Sequence, residues 1–270
     1  VFQQNGHFGV IKNKIYVIYI MDKISDECLK TFPNVCVLVP TYNRPEWLPL
    51  LINNLKTQQY PHEKLTCLIM DDGQKPFIKD VEEVAKQIKP IKLGYYKMDK
   101  WMEIGKKRNE LCKRAMKIMG KKGIVCNMDD DDYFTPQYIL YSVSMLTKSN
   151  KIQIVGSNQM QFMYPFNDWK MSGIQCETKR QIHESCLTMR LSHWKRMGGY
   201  AINSQGEGAK LFDGVDQESI ELLDIRYLMI CIGHKTNTIN KEQFYNEDTE
   251  LKMIFDFEPS KSIIKNVLNC

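Results

Sequence analysis

The chain has 270 residues and a net charge of +5, with 43% hydrophobic and 26% charged side chains. That apolar share is enough to build a core, which excludes disorder as the main state, and the mild charge excess lacks the concentrated basic stripe of a nucleic-acid binder. The longest apolar run, residues 15–21, falls far short of the ~18 residues of a membrane span, so no integral membrane segment is expected.

In chain order, residues 1–34 read as an N-terminal arm, with a hairpin or pair of edge strands around Asn13. A regular pattern begins at residue 35. Strands are predicted at 35–39, 65–70, 91–96, 124–128 and 152–157. Helices are predicted between them at 45–58, 80–88, 105–119 and 138–146. Continuous apolar strands alternating with amphipathic helices specify an α/β fold, with a mostly parallel sheet covered on both faces. The stretch 158–250 is less periodic. It holds Gly198-Gly199-Tyr200, a glycine-rich loop at 204–208, an acidic helix start at 213–218 and an apolar strand at 227–232. No linker interrupts 35–250, which is expected to be one domain, with 251–270 as a tail bearing a short helix.

The nine cysteines are odd in number and none is spaced C-x-x-C, which excludes zinc-ribbon and thioredoxin patterns. Cys36, Cys67, Cys126 and Cys231 sit inside apolar runs, where a free thiol behaves as a small hydrophobe, so a reducing, cytoplasmic compartment is expected. The chain opens on Val1 and shows no signal peptide. The expectation is a fragment of a longer protein.

Parallel sheets bind ligands beyond the carboxyl ends of their strands. There the first strand leads into Pro40-Thr41-Tyr42-Asn43-Arg44, the second into Asp71-Asp72-Gly73 and the fourth into Asp129-Asp130-Asp131-Asp132. Four adjacent carboxylates repel one another, and hard cations such as Mn²⁺ or Mg²⁺ favour their oxygens. In an extended segment Asp129 and Asp131 would share one face, Asp130 and Asp132 the other. No G-x-G-x-x-G follows the first strand and no P-loop is present, which disfavours a Rossmann dehydrogenase and a P-loop ATPase. Lys106-Lys107-Arg108 is the densest basic spot, and a solvated helix face is its ordinary explanation.

The order and spacing of Val35-Cys-Val-Leu-Val-Pro-Thr-Tyr-Asn-Arg-Pro, Leu68-Ile-Met-Asp-Asp-Gly and Asn127-Met-Asp-Asp-Asp-Asp-Tyr-Phe-Thr-Pro resemble the family-2 glycosyltransferases of the GT-A fold. The resemblance is looser through 185–200 and 213–223, and it does not cover 1–34 or the tail. It implies a Rossmann-like nucleotide-sugar half at 35–157 and a mixed acceptor half at 158–250. It further implies an inverting hexosyl transfer from a UDP-sugar, with UDP-glucose or a similar donor favoured, to the hydroxyl of an unidentified glycan, protein or lipid. Pro40, Thr41, Tyr42, Arg44, Asp71, Asp130 and Arg108 would face the nucleotide, and Asp72 would accept the uracil N3–H. Asp131 and then Asp129 would hold the metal as the family's D-x-D site, with His234 as a further ligand. Trp194, Gly199 and Tyr200 would line the acceptor side. Asp216 at the helix start would be the general base, backed by Asp213 and Glu218. A nucleotidyltransferase and an inactive nucleotide-sugar binding module are the alternatives.

Overall fold

The computed structural model describes residues 31–237, 239–245 and 258–269. The expected hairpin near the N-terminus lies outside the described residues. Two sheets form the frame. The larger has seven strands in the order β10-β6-β9-β4-β1-β2-β3. Its centre is β1 (Val35–Thr41), flanked in parallel by β2 (Leu65–Asp71) and β4 (Ile124–Asn127). β3 (Lys92–Lys97) extends it in parallel on one side. On the other side β9 (Thr188–Arg190) runs antiparallel to both β4 and β6 (Ile154–Gly156), and β10 (Ile220–Leu222) closes the edge parallel to β6. β9 is therefore the one reversed strand of this sheet, and its N-terminal end enters where the others leave.

The central strands are buried along their whole length, as their unbroken apolar sequence requires. Helices follow them closely to the sequence expectation: α1 (Leu48–Lys56) after a 3-10 turn at Pro45–Trp47, α2 (Val81–Gln87), α3 (Ile104–Met119) and α4 (Tyr138–Thr147). α3 packs on β1 and β2, α4 on β6 and β9. Asp80 caps α2 by accepting the Glu83 N–H at 3.0 Å, and Gly120, at φ 69°, ends α3. The 158–250 stretch holds more strand than its pattern suggested. β7 (Gln159–Tyr164) and β8 (Lys170–Gln175) form a hairpin, and β5 (Tyr133–Phe134) and β11 (Met229–Ile232) join them in a second sheet ordered β5-β11-β7-β8. A short α5 (Leu191–Arg196) follows β9. In the tail, α6 (Glu258–Leu268) docks on α1, with Asn53 donating to Ser260 Oγ at 3.0 Å.

One expected element is absent. No α-helix follows Asp216: Gln217–Ser219 is a single 3-10 turn leading into β10. No helix among the described residues is long and apolar enough to cross a membrane.

Candidate active site

The carboxyl ends of β1, β2 and β4 converge as expected, with Thr41 level with Asp71 and Leu38 level with Asn127. Gly73 lets the loops after β1 and β2 meet, because a Cβ there would lie 2.4 Å from the Asn43 backbone nitrogen. Asp71 is spent on folding its own loop: it accepts the Gly73 and Phe77 N–H groups at 2.8 Å each and the Tyr95 hydroxyl at 2.6 Å. It does not face a nucleotide.

The aspartate run is not extended. It turns at Asp130–Asp131, and Asn54 of α1 splints the turn by donating to the Asp132 carbonyl at 2.8 Å and accepting the Phe134 N–H at 3.2 Å. The expected pairing of Asp129 with Asp131 therefore fails. Asp130 and Asp131 instead share Arg44, at 3.3 and 2.6 Å, and Thr41 Oγ1 donates to Asp130 at 2.5 Å. Asp129 turns to Arg108 at 2.9 Å and to the Ser185 hydroxyl. Asp132 takes Lys241 at 2.9 Å and the Ile232 N–H at 3.0 Å. The chain thus supplies its own cations to all four carboxylates, so repulsion alone does not demand a metal.

What does suit a metal is narrower. His234 Nε2 lies 3.0 Å from Asp131 Oδ2, and Asn237 Nδ2 lies 3.3 Å from the same oxygen. Trp47 packs against the His234 ring at a centroid distance of 4.5 Å and fixes its orientation. Burial alone would raise the Asp131 pKa, but Arg44, His234 and Lys241 hold it well below the usual carboxylate range. An ionised carboxylate beside an imidazole would suit a hard divalent cation such as Mn²⁺ or Mg²⁺. No group of three or more such ligands is present among the described residues, so the protein would offer two. Asp129, engaged by Arg108 and Ser185, is not the second of them.

The first two turns of α3 contribute three successive residues, Lys107, Arg108 and Asn109, that fan out by about 100° each. Lys107 is buried and reaches Asp72 at 2.7 Å and the Thr41 carbonyl at 3.1 Å, while burial lowers its pKa. Its ammonium also stands 5.7 Å from the Tyr42 ring centroid. Asp72 gives its other oxygen to the Met102 N–H at 2.6 Å and its side chain is fully buried, so both of its oxygens are spent within the chain. Arg108 is 1% exposed and joins Asp129 to Glu207, each at 2.9 Å. Burial opposes the Arg108 charge, yet those two carboxylates hold its pKa above the ordinary value. Its Nη1 is buried with no hydrogen-bond partner among the described residues, a donor aimed at an oxygen the chain does not provide. Asn109 clasps the segment after α5: it accepts Trp194 Nε1 at 2.9 Å and the Tyr200 N–H at 2.8 Å.

That clasp corrects the acceptor-side expectation. Trp194 and Tyr200 are buried packing residues, and the Tyr200 hydroxyl is bonded at 2.9 Å by Asn127, beneath Asp129. Gly199, at φ 83°, would drive a Cβ to 2.4 Å from Asn109 Oδ1. None of the three lines an open cleft.

The catalytic-base expectation fails on topology. β10 runs parallel to β6, so residues before it lie at the amino edge of the sheet, opposite the aspartate run. Asp216 there accepts the Glu218 N–H at 3.1 Å as a turn cap, and Glu218 pairs with Lys151 at 3.4 Å in solvent. Asp213 is exposed at the end of the 3-10 turn Ala209–Phe212 and makes no described side-chain bond to the site.

Sequence reasoning missed the carboxylates that do reach the site. Glu207 is buried on Arg108, and Glu184 opens the turn before β9. Ala201–Gly208 meets the start of α3, where Gly105 N–H donates to the Asn203 carbonyl at 3.0 Å. His183 was also missed. Its Nδ1 is buried without a partner among the described residues, and burial pushes its pKa down to about 4. The available signal was the Gly206-Glu207-Gly208 triplet, an acid between two glycines in the loop that was read only as glycine-rich.

A family model described as glycosyl transferase family 2 matches residues 36–213, two thirds of the chain. Asp216, Glu218 and His234 lie beyond that match. The glycosyltransferase AglE of Haloferax volcanii is 24% identical over 155 residues, covering 57% of this chain and 48% of its own. The chain therefore spans about half the length of that curated relative. Among solved structures, S. aureus TarS 1-349 in complex with UDP-GlcNAc superposes with a TM-score of 0.58 at 17% identity, over 87% of this chain and 72% of the other. The mannosyltransferase PcManGT of Pyrobaculum calidifontis, in complex with GDP-Man and Mn²⁺, gives 0.53 at 16% identity, over 78% and 63%. These likenesses are of fold, the GT-A type.

Proposed function

This chain belongs to glycosyl transferase family 2, and on that premise we propose that it moves a hexose from a UDP-sugar to an acceptor hydroxyl, with inversion and with a divalent cation on the diphosphate. The observation that supports this reading most is the orphaned Nη1 of buried Arg108, which pairs with Asp129 two residues before the Asp131–His234 pair, a cationic donor and a metal-type pair at one sheet edge. Tyr42, 37% exposed after β1, offers its ring to the base, and Lys107 stands behind it. Pro40 and Thr41 shape that wall. Arg108 Nη1 donates to a phosphate or sugar oxygen, and Arg44 is a second cation within reach of the diphosphate. Asp131 and His234 would hold Mn²⁺ or Mg²⁺, which when bound stabilises charge on the leaving diphosphate. The acceptor oxygen loses its proton to a carboxylate and forms the new bond to the anomeric carbon. The bond from that carbon to phosphate breaks, and its electron pair leaves with UDP. That AglE, TarS and PcManGT are described as glycosyltransferases or as holding nucleotide sugars supports the same class of donor.

Calorimetry tests the reading. UDP is expected to bind at least about tenfold more tightly with Mn²⁺ than with EDTA, a difference of about 1.4 kcal/mol, and Asp131→Ala is expected to abolish the gain. Equal affinity in both buffers would remove the metal from the proposal.

A further inference from the structure

We propose that Glu184 is the general base that takes the acceptor proton. The assignment rests on the sugar-transfer reading above and replaces Asp216, which lies at the wrong edge. Because β9 is reversed, the turn before it sits beside the end of β4: Asn127 Nδ2 donates to the Glu184 carbonyl at 2.7 Å, and the next residue, Ser185, is bonded to Asp129. Glu184 is therefore delivered to the same corner as Asp129 and Arg108.

Three carboxylates meet there, Asp129, Glu207 and Glu184, and the first is spent on Arg108 and Ser185. Glu207 is 4% exposed and spent on Arg108. Glu184 is partly exposed and forms no ion pair among the described residues; its carboxylate accepts only backbone N–H groups, that of Gly208 at 3.2 Å and its own. Gly208 makes the space, since a Cβ there would lie 2.8 Å from Glu184 Cγ. A base needs this combination: a carboxylate held in place, open to a ligand on one side and not neutralised by a cation. The charged groups acting on it are Glu207 from the loop and Arg108 from α3, whose guanidinium is already held by Asp129 and Glu207; the neighbouring Cys176 and Cys186 thiols are uncharged. Burial, and then the Glu207 charge, push its pKa up to about 7, where a base both accepts a proton readily and returns it to solvent. In the step itself the acceptor O–H proton passes to Glu184, the oxygen bonds to the anomeric carbon, and UDP departs with the electron pair of the broken bond.

The test compares wild-type protein with Glu184→Gln, which keeps an acceptor for the Gly208 N–H. UDP release is measured from UDP-glucose and UDP-N-acetylglucosamine with Mn²⁺ and with glycerol as the acceptor alcohol. UDP affinity is measured alongside by calorimetry. The variant is expected to bind UDP within about twofold of wild type yet release it ~10²–10⁴-fold more slowly, without the acid limb near pH 7. Formate is expected to restore part of the rate to Glu184→Ala. A Gln variant with wild-type rate and pH profile would overturn the assignment of Glu184 alone. A wild-type protein that neither binds UDP nor releases it would overturn the transfer reading and this assignment with it.

Discussion

At the scale of single residues, the site is built from side chains whose charges are set against one another. Arg44, Arg108 and Lys241 answer the four aspartates, and Lys107 answers Asp72. Glu184 is the exception, and its isolation has a cost in stability. Its carboxyl titrates near 7 when folded, against about 4.3 in an unfolded chain. Between those values the folded state holds more protons, so stability falls as pH rises from about 4.5 to 7 and then levels. Glu184→Gln removes that fall. Its melting temperature is expected to match wild type near pH 4.5 and to exceed it at pH 7.5, by the equivalent of roughly 1–2 kcal/mol. Thermal melts across pH check this, and a variant less stable than wild type at pH 7.5 would contradict it. The four aspartates were legible as a cluster because four carboxylates after a buried strand are conspicuous. Their partners were not, because Lys107 and Arg108 have the sequence of a solvated helix face and are buried.

At the scale of elements, β9 and β10 decide which acids matter. Strand direction cannot be read from a three-residue run. Thr188–Arg190 has no periodicity long enough to separate strand from loop, and Ile220–Leu222 follows acids that look like a helix start. The helix pattern fails there because Ile220 pairs with Ile154 and tertiary pairing overrides local propensity. The placement makes a clear prediction for Asp216→Asn. Asn caps as well as Asp, so stability is expected to change by less than about 0.5 kcal/mol, and sugar transfer to remain at the wild-type rate. A loss of turnover in a variant with an unchanged melting temperature would return Asp216 to the chemistry. By contrast β1 to β4, α3 and α4 match their expected ranges within a few residues, because each is a long segment of one period.

At the scale of the whole molecule, the parallel half of the larger sheet was legible and the second sheet was not. β7 and β8 are joined through Asp168 and Trp169, both at positive φ, without the glycine that ordinarily marks such a turn. Among the described residues the cysteines are unpaired and mostly buried, and burial pushes the Cys36 and Cys126 thiols up to about 12, which keeps them inert. The two halves of the site meet at Gly105, where a Cβ would lie 1.9 Å from the Ala201 carbonyl oxygen. Gly105→Ala must therefore push α3 and the 201–208 loop apart. It is expected to weaken UDP binding and to slow transfer together, the latter by as much as ~10²-fold if the shift reaches 1 Å. Calorimetry and UDP release on the same preparation check this, and a change in one alone would show that the halves move independently.

The first two turns of α3 place Lys107 beside Tyr42 and Asp72, Arg108 between Asp129 and Glu207, and Asn109 on Trp194 and Tyr200. Three neighbouring side chains thus share one rigid body, and any roll or slide of that body is a single coordinate felt at all three stations. With this wiring α3 cannot shift at Lys107 without also disturbing the carboxylate pair that Arg108 and Gly208 hold in place. Variation in acceptor choice is then expected to accumulate in the 201–208 loop, downstream of the helix, where a change alters one station and leaves the other two in register.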